Sequence, residues 1–247
     1  MRTAGRKLAE IVANLREQIA VGMATSDIDR MTEDAILRAG AKPAFKGYRV
    51  GKAVFPATIC VSINEQVVHG IPSKRTLKEG DLVSLDFGLV YGGYYADSAF
   101  SVCLPPVPEE TARLLDAAET SLYTAVAHAR VSNRIGDIGH AVQSYCESRG
   151  FGVVTQFVGH GIGRRLHEEP SVPNFGKAGT GYLLKTGMVL AIEPMITLGS
   201  PRTKILSDEW TVVTVDGGRA AHFEHTVAIT PSGPEILTAL DPVSPIR

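Results

Sequence analysis

Apolar side chains recur every three or four residues in several stretches of the chain, a spacing that predicts amphipathic helices. The first helix is predicted over residues 2–21, with an apolar stripe formed by Leu8, Ile11, Val12, Leu15 and Ile19. The second begins at the helix-capping pair Thr25-Ser26 and ends at Gly40. A third is predicted over residues 108–130. Charged side chains lie outside the stripe of the first helix, so that helix is expected to serve packing.

One short phrase occurs twice along the chain. Asp27-Ile28 followed by Gly40 returns 110 residues later as Asp137-Ile138 followed by Gly150. We therefore expect two halves, about 1–104 and 105–247, that each run helix, helix and then strands. The predicted fold is α+β: one domain over residues 1–247 whose halves pack about a pseudo-twofold axis, with a site where their sheets meet.

Residues 81–104 alternate between apolar and polar side chains on both sides of a glycine-rich turn, a pattern typical of a β-hairpin. With the turn centred between Tyr91 and Gly92, Asp86 is predicted to pair with Asp97, and their β-carbons would lie about 5 Å apart. Two such carboxylates need a shared proton or a cation between them. The alternative is a bulge that breaks the register and turns one Asp to solvent.

Two histidines lie at the ends of predicted strands. His69 follows a predicted strand over residues 55–64, at a Gly/Pro loop from which side chains often reach a cleft. His160 follows a β-rich run over residues 153–158 and is flanked by glycines that permit close backbone approach. The spacing of these glycines fits neither a Walker loop nor a dinucleotide fingerprint.

Two glutamates lie within apolar strand patterns. Glu193 closes a predicted strand over residues 187–194, on a face with Val189 and Ala191. Glu224 shares one face of a predicted strand over residues 221–229 with Thr226 and Ala228. Four other histidines are predicted to lie outside the site, because they fall on predicted helices, on the opposite strand face or outside the pattern: His128, His140, His222 and His225.

Composition narrows the class of protein. A chain of 247 residues with 44% hydrophobic residues and a net charge of −1 indicates an ordinary globular protein without the footprint of a nucleic-acid binder. The three cysteines, Cys60, Cys103 and Cys146, are far apart, which favours a reducing compartment over a disulfide framework or zinc knuckle. With no apolar run of about 18 residues and no signal-peptide core after Met1, we expect a cytoplasmic protein that does not bind membranes.

The polar residues that interrupt the strand patterns form one candidate metal site. They are Asp86, Asp97, His160, Glu193 and Glu224. Four carboxylates and one imidazole carry a charge of −4 when ionised, and two divalent cations would cancel it. Oxygen ligands with a single nitrogen suit Mn²⁺, Fe²⁺, Co²⁺, Ni²⁺ or Zn²⁺, and the lack of a thiolate argues against a purely structural zinc.

Seven short segments together resemble the type I methionine aminopeptidases of the pita-bread metallopeptidase superfamily, over nearly the whole chain. They are NEQVVHGIP (64–72), SLDFG (84–88), YADSAF (95–100), GHGIG with LHEEP (159–163 and 166–170), AIEPM (191–195) and FEHTVAIT (223–230). The resemblance implies a dinuclear aminopeptidase that removes the N-terminal methionine of nascent proteins and peptides when the second residue is small. The short interval between His160 and Glu193 lacks the insertion of the type II enzymes.

The resemblance also implies a role for each site residue. Asp86 would bind one metal, His160 and Glu193 the other, and Asp97 and Glu224 would bridge both. His69 and His167 would flank the substrate, and Glu193 would also move the proton of the attacking water. The methionine side chain would lie among Phe45, Tyr48, Phe55, Leu166 and Trp210, whose alternative role is core packing. The implied partners are peptides with a free N-terminal methionine, and a monomer is expected, with ribosome association left open.

The chain departs from the resemblance at two places near the pocket. Residues 49–54 are extra in a loop that walls the specificity pocket, and Leu166 precedes His167 where an aromatic residue is common. Two alternatives follow from the same pattern. One is a proline-specific aminopeptidase or dipeptidase on this scaffold. The other is a non-catalytic protein that binds ribosomes or nucleic acid, a class expected to lose metal ligands.

Overall fold

The structure is a computed structural model that describes residues 1–240, so the last seven residues of the predicted domain lie outside the described residues. It combines helices and antiparallel sheets, and the predicted α+β class is confirmed. The helices within residues 1–240 are α1 (Arg2–Arg16), α2 (Thr25–Arg38), α3 (Glu109–His128) and α4 (Ile135–Glu147). Each helix pair is followed by strands, in the order that the sequence predicts. None of these helices has both the length and the apolar character needed to cross a membrane.

The strands are short apart from one long hairpin. In the first half they are β1 (Lys42–Pro43), β2 (Arg49–Val50), β3 (Ala53–Val54), β4 (Ile59–Ile63), β5 (Gln66–Val68), β6 (Leu82–Tyr91) and β7 (Tyr94–Cys103). In the second half they are β8 (Gly152–Val153), β9 (Gly159–Gly161), β10 (Glu168–Val172), β11 (Val189–Ile192), β12 (Met195–Thr197), β13 (Thr203–Ile205), β14 (Val212–Thr214), β15 (Ala220–His222), β16 (Glu224–Thr230) and β17 (Gly233–Ile236).

The main sheet joins strands from both halves of the chain. Its order is β1-β6-β7-β16-β11-β9-β10, and in addition β4 pairs with β6 and β17 pairs with β16. All of these pairs are antiparallel. Helix α1 packs on the β6–β7 hairpin, and α3 packs on α4. The contact between β7 and β16 brings residues 97–99 beside residues 224–226, although more than 120 positions separate them along the chain.

The hairpin register differs from the prediction by two residues. Tyr91 pairs with Tyr94, so the turn is Gly92-Gly93, and its φ angles of 59° and 79° are those of a two-residue turn whose twist suits a hairpin. Asp86 therefore lies opposite Ala99, and the predicted Asp86–Asp97 pair is wrong. Because side chains alternate with a period of two, a shift of two residues leaves both aspartates on the same face as diagonal neighbours.

The first two helices also differ in detail from the prediction. Helix α1 ends at Arg16, before a loop that turns at Gly22 with φ 89°. The N-cap residue of α2 is Ala24, which makes no side-chain capping bond. The Thr25 hydroxyl instead exchanges hydrogen bonds with the backbone of Ser73. A tertiary partner has therefore replaced the local cap that the sequence predicts.

The segment around His160 is itself a strand inside the main sheet, whereas the sequence predicts His160 just after the end of a strand. Strand β9 lies between β11 and β10, whereas most of the predicted strand over residues 153–158 has no regular structure. Glycine is required here by close approach: a β-carbon at Gly159 would overlap the carbonyl oxygen of Ala191, and one at Gly161 that of Glu169. Since β11 ends at Ile192, Glu193 follows the strand and does not lie within it.

Candidate metal centre

The candidate metal ligands meet at one end of a cavity of about 300 Å³. Asp86 comes from β6, Asp97 from β7, His160 from β9, Glu193 from the residue after β11 and Glu224 from the start of β16. Asp97, His160 and Glu224 are buried, and Asp86 and Glu193 are partly accessible. Side chains from both halves of the chain therefore form a single acidic surface.

His160 lies between two of the carboxylates. Its Nε2 is 3.8 Å from Oδ2 of Asp97 and 3.6 Å from Oε1 of Glu193. Its Nδ1 is 2.9 Å from the carbonyl oxygen of Gly161, which can only accept a hydrogen bond, so Nδ1 carries the proton and Nε2 the lone pair. Asp97, His160 and Glu224 each offer one ligand atom within 4.8 Å of the others, which is close enough for a shared cation.

Burial raises the pKa of every carboxyl group in the cluster. The pKa of Asp86 is raised to about 6 and that of Glu193 to about 8, in both cases chiefly because the charged form loses solvent. The pKa values of Asp97 and Glu224 are raised well above the ordinary range by burial and by the neighbouring carboxylates. A group of acids that resist ionisation in this way is typical of a site that a cation completes.

Several polar atoms in the cluster have no hydrogen-bond partner within residues 1–240. Among them are Asp86 Oδ1, Asp97 Oδ1 and Glu224 Oε1, all buried. An unsatisfied buried acceptor costs about 1–3 kcal/mol, more if it is charged. Carboxylate oxygens with one imidazole nitrogen are the donor set that divalent transition metals accept. These residues therefore fit a divalent metal site.

The other end of the cavity is apolar. Phe45, Tyr48, Phe55, Leu166 and Trp210, the predicted methionine pocket, all line it. The rings of Phe55 and Trp210 meet edge to face at 5.2 Å, and Leu166 is buried in the same cluster. Residues 49–54, predicted to be an addition to the pocket loop, form the β2–β3 hairpin, and its Val50, 58% exposed, also lines the cavity.

The two predicted substrate histidines lie between the acidic and apolar ends. His69 adopts φ 59°, a strained conformation that for a non-glycine residue is often associated with function. His167 Nδ1 is 2.6 Å from the Tyr48 hydroxyl, and its ring is 4.2 Å from that of His160. Burial lowers the pKa of His69 to about 4 and also lowers that of His167, so both imidazoles are neutral at pH 7.

The structure adds residues that the sequence analysis left out of the site. The prediction that His222 lies outside it is wrong: this residue is buried, and its Nε2 is 3.7 Å from Oε2 of Glu193. The signal was present in the sequence, because His222 continues the alternation of Glu224 and Thr226 by one step. Cys60 also lines the cavity, directly opposite Asp86 in the β4–β6 register. His225 lies apart as predicted, against Thr238 and Tyr123.

Without metal, the folded protein should lose stability as the pH rises from about 6.5 to about 8. Glu193, with its pKa near 8, keeps a proton that an unfolded glutamic acid has already released, and stability falls with pH wherever the folded state binds more protons. This group alone should remove on the order of 1–2 kcal/mol over that range, and Asp97 and Glu224 act in the same direction. The buried histidines have the opposite effect on stability, because their pKa values are lowered in the folded protein. That effect is confined to pH values below about 6.5, where the imidazoles of the unfolded chain take up protons.

Thermal unfolding of chelator-treated protein at several pH values between 6.5 and 8 measures this effect. Metal-loaded protein should change less over the same range, because the ligands are then ionised in the folded state. A melting temperature of the metal-free protein that rises with pH in this interval would contradict the assignment of buried carboxyls.

Comparison with known proteins supports the same chemistry. The family model described as Metallopeptidase family M24 matches residues 1–231. The chain is similar to the methionine aminopeptidase of Clostridium perfringens, with 48% identity over 97% of this chain and 95% of the relative. It is 47% identical to methionine aminopeptidase 1 of Bacillus subtilis over 96% of this chain and 94% of the relative. The crystal structure of methionine aminopeptidase from Thermotoga maritima superposes with a TM-score of 0.93 at 43% identity, covering 97% of this chain and 95% of that one.

Proposed function

This chain belongs to metallopeptidase family M24 and has the pita-bread fold, and from that premise we propose that it uses two divalent metal ions to remove methionine ahead of a small second residue. Metal-dependent hydrolysis of N-terminal methionine follows from the family and from the identity to methionine aminopeptidases along the chain. The number of metal ions and the requirement for a small second residue are the parts that we propose.

The observation that carries the proposal is the meeting of four carboxylates and one imidazole at the end of an apolar cavity. In the proposed centre, Asp86 would hold one ion and His160 and Glu193 the other, and Asp97 and Glu224 would offer oxygens to both. Their combined charge of −4 is the reason for proposing two ions, since a single divalent cation would leave half of it uncompensated in a buried site. Bound divalent ions would polarise the scissile carbonyl and lower the pKa of a water molecule toward 7.

Glu193 is the residue that we propose moves the proton. Its burial favours the protonated form, so it can accept a proton from the attacking water and deliver it to the amide nitrogen that leaves. His160 is unsuited to this task because Nδ1 already carries the ring proton, so its one lone pair, on Nε2, would be given to a metal ion. The chain thus provides one candidate base close to the proposed metal ions.

His167 and His69 are proposed to contact the peptide. The Tyr48 hydroxyl can donate to His167 Nδ1, which leaves the proton of the neutral ring on Nε2. A hydrogen bond from that Nε2 would stabilise negative charge as it develops on the scissile carbonyl oxygen. His69, whose ring is 6.5 Å from that of Trp210, would contact the amide next to the departing residue.

The apolar end of the cavity supports methionine as the side chain removed. An unbranched thioether packs well among aromatic rings, here those of Phe45, Phe55 and Trp210. The substrates we propose are peptides and nascent proteins with an unblocked α-amine. We also propose that the protein acts as a monomer, and association with ribosomes stays an open prediction.

A panel of short peptides assayed with metal content counted in the same sample tests the function. We expect Met-Gly-Met to be cleaved in the presence of Mn²⁺ or Co²⁺, with no cleavage of Met-Leu-Met or of an N-acetylated Met-Gly-Met. About two metal ions per chain should be bound at full activity. Preferential cleavage of an Xaa-Pro peptide would instead identify a proline-specific peptidase, and metal binding without any turnover would favour a non-catalytic protein.

A further inference from the structure

Next to the proposed metal ligands lies a buried imidazole that none of the roles above uses. His222 ends strand β15, and its side chain is 2% exposed. Its Nε2 has no hydrogen-bond partner within residues 1–240 and lies 3.7 Å from Oε2 of Glu193. Buried ring nitrogens are nearly always hydrogen-bonded in folded proteins, so an unpaired one beside a carboxylate requires an explanation.

The backbone holds His222 and Glu193 next to each other. His222 lies opposite Met195 in the β12–β15 pair, two residues beyond Glu193. The His222 amide donates to the Ser101 hydroxyl at 2.9 Å. The carbonyl of Glu193 accepts a hydrogen bond from Asn174 Nδ2 at 2.9 Å. With both backbones fixed, only the side-chain torsions of His222 and Glu193 remain to set the 3.7 Å gap between Nε2 and Oε2.

The two oxygens of Glu193 face different imidazoles. Oε1 is 3.6 Å from Nε2 of His160, and Oε2 is 3.7 Å from Nε2 of His222. His160 belongs with Asp97 and Glu224 to the group whose ligand atoms lie within 4.8 Å of one another, whereas His222 is not in that group. The two imidazoles therefore differ in role: His160 offers a lone pair to a cation, and His222 offers a proton to the carboxylate.

We propose that His222 is the positioning residue of Glu193, donating a hydrogen bond from Nε2 to Oε2 so that Oε1 stays turned toward the metal site. This inference rests on the proposed function of Glu193 as metal ligand and proton acceptor. Residues outside the ligand set that orient a ligand typically change metal affinity or activity by about 10–100-fold when they are removed. His222 should therefore act through Glu193 without contacting the metal or the substrate.

The test compares His222→Leu with His222→Gln, using Mn²⁺ as the metal. Leu has a similar volume and no donor, whereas the Gln amide can place an N–H near the position of Nε2. We expect His222→Leu to bind Mn²⁺ about 10–100-fold more weakly and to lower kcat on Met-Gly-Met about 10–100-fold at metal saturation, with little change in KM. His222→Gln should restore most of both losses. Pulsed EPR of the Mn²⁺-loaded protein should detect the same number of coordinated imidazoles in all variants.

His225→Leu is the matched control, because this histidine is three residues away, is also largely buried and faces away from the cavity. It should leave Mn²⁺ affinity and kcat close to the parent values. If His222→Leu does not fold, His222→Asn replaces it, since the shorter amide does not reach the position of Nε2.

Four results would overturn the inference. These are an unchanged Mn²⁺ affinity and kcat in His222→Leu, no rescue by His222→Gln, an equal loss in His225→Leu, and the disappearance of one coordinated imidazole in His222→Leu, which would make His222 a ligand. Mn²⁺ binding and peptide cleavage by the parent protein distinguish a failure of this inference from a failure of the proposed function. A parent that binds no Mn²⁺ and cleaves no peptide refutes the function itself, whereas an active parent with an equally active His222→Leu variant refutes only the positioning role.

Discussion

Replacement of Glu224 by Gln is expected to abolish peptide hydrolysis and to reduce the bound metal. Glu224 is 2% exposed, its Oε1 has no hydrogen-bond partner within residues 1–240, and it belongs to the close group with Asp97 and His160. A carboxylate can share its two oxygens between two cations, whereas an amide offers one neutral oxygen and an N–H₂ group that repels them. We expect kcat/KM to fall by about 10³-fold or more, a change of about 4 kcal/mol in transition-state stabilisation.

The same substitution should not unfold the metal-free protein. Glu224 is held in a site that penalises its charge, so the neutral amide removes a repulsive group when no cation is present. At pH 8 and in the presence of chelator, we expect Glu224→Gln to melt at or above the temperature of the parent. If the variant is stable but inactive, the loss of activity is due to loss of metal and not to unfolding.

Glu79→Gln is the matched control for this substitution, because Glu79 is exposed and lies outside the cavity. It should keep the activity and metal content of the parent. Peptidase assays and metal analysis on the three proteins measure the effect. Full turnover by Glu224→Gln with an unchanged metal content would refute the shared-ligand assignment, and Asp97→Asn provides an independent second test of it.

His167→Ala is expected to produce the second largest loss, about 10²–10³-fold in kcat, with metal stoichiometry unchanged. The loss is that of one hydrogen-bond donor to developing negative charge, which in other hydrolases has this magnitude. His167 is neutral because burial lowers its pKa, and Tyr48 can fix its proton on Nε2. Tyr48→Phe should therefore lower kcat by less, since the ring keeps its place but loses the group that selects its tautomer.

His140→Ala is the control for His167→Ala, because His140 is an exposed residue of helix α4. It should leave kcat and metal content unchanged. Steady-state kinetics at saturating metal, with metal analysis of each preparation, separate the two histidines. A loss of metal in His167→Ala would show that this ring is a ligand, and an unchanged kcat would remove it from the substrate site.

Local pattern was sufficient to predict much of this protein. The apolar spacing of the first helices and the alternation along the β6–β7 hairpin depend on neighbouring residues, and the structure contains each of these elements. The acidic residues could also be selected in advance, because a carboxylate such as Glu224 within an apolar strand is too costly to be there for solubility. The family could also be identified from local pattern, because its motifs are short contiguous segments.

The prediction failed where the decisive partner is distant along the chain. The predicted side-chain cap of helix α2 does not form, because Thr25 bonds to Ser73. The glycines around His160 form a strand inside the sheet, because the backbones of β10 and β11 approach them closely from both sides. The hairpin register depended on which two residues make the turn. That choice is set by the backbone twist of the turn, and the alternation of apolar and polar residues does not reveal it.

By itself, the sequence determined which residue types the chain could place in a buried site and, through its motifs, the family to which it belongs. Only the tertiary structure decided which of them meet, and on this point His222 and His225 are the clearest case. They are three residues apart, and alternation can assign them to opposite strand faces, but it does not say that one lies beside Glu193 and the other packs against Thr238. The physical reason is that side-chain partners are set by the pairing of strands remote in the chain, and that pairing follows from burial of the whole core and not from any local pattern.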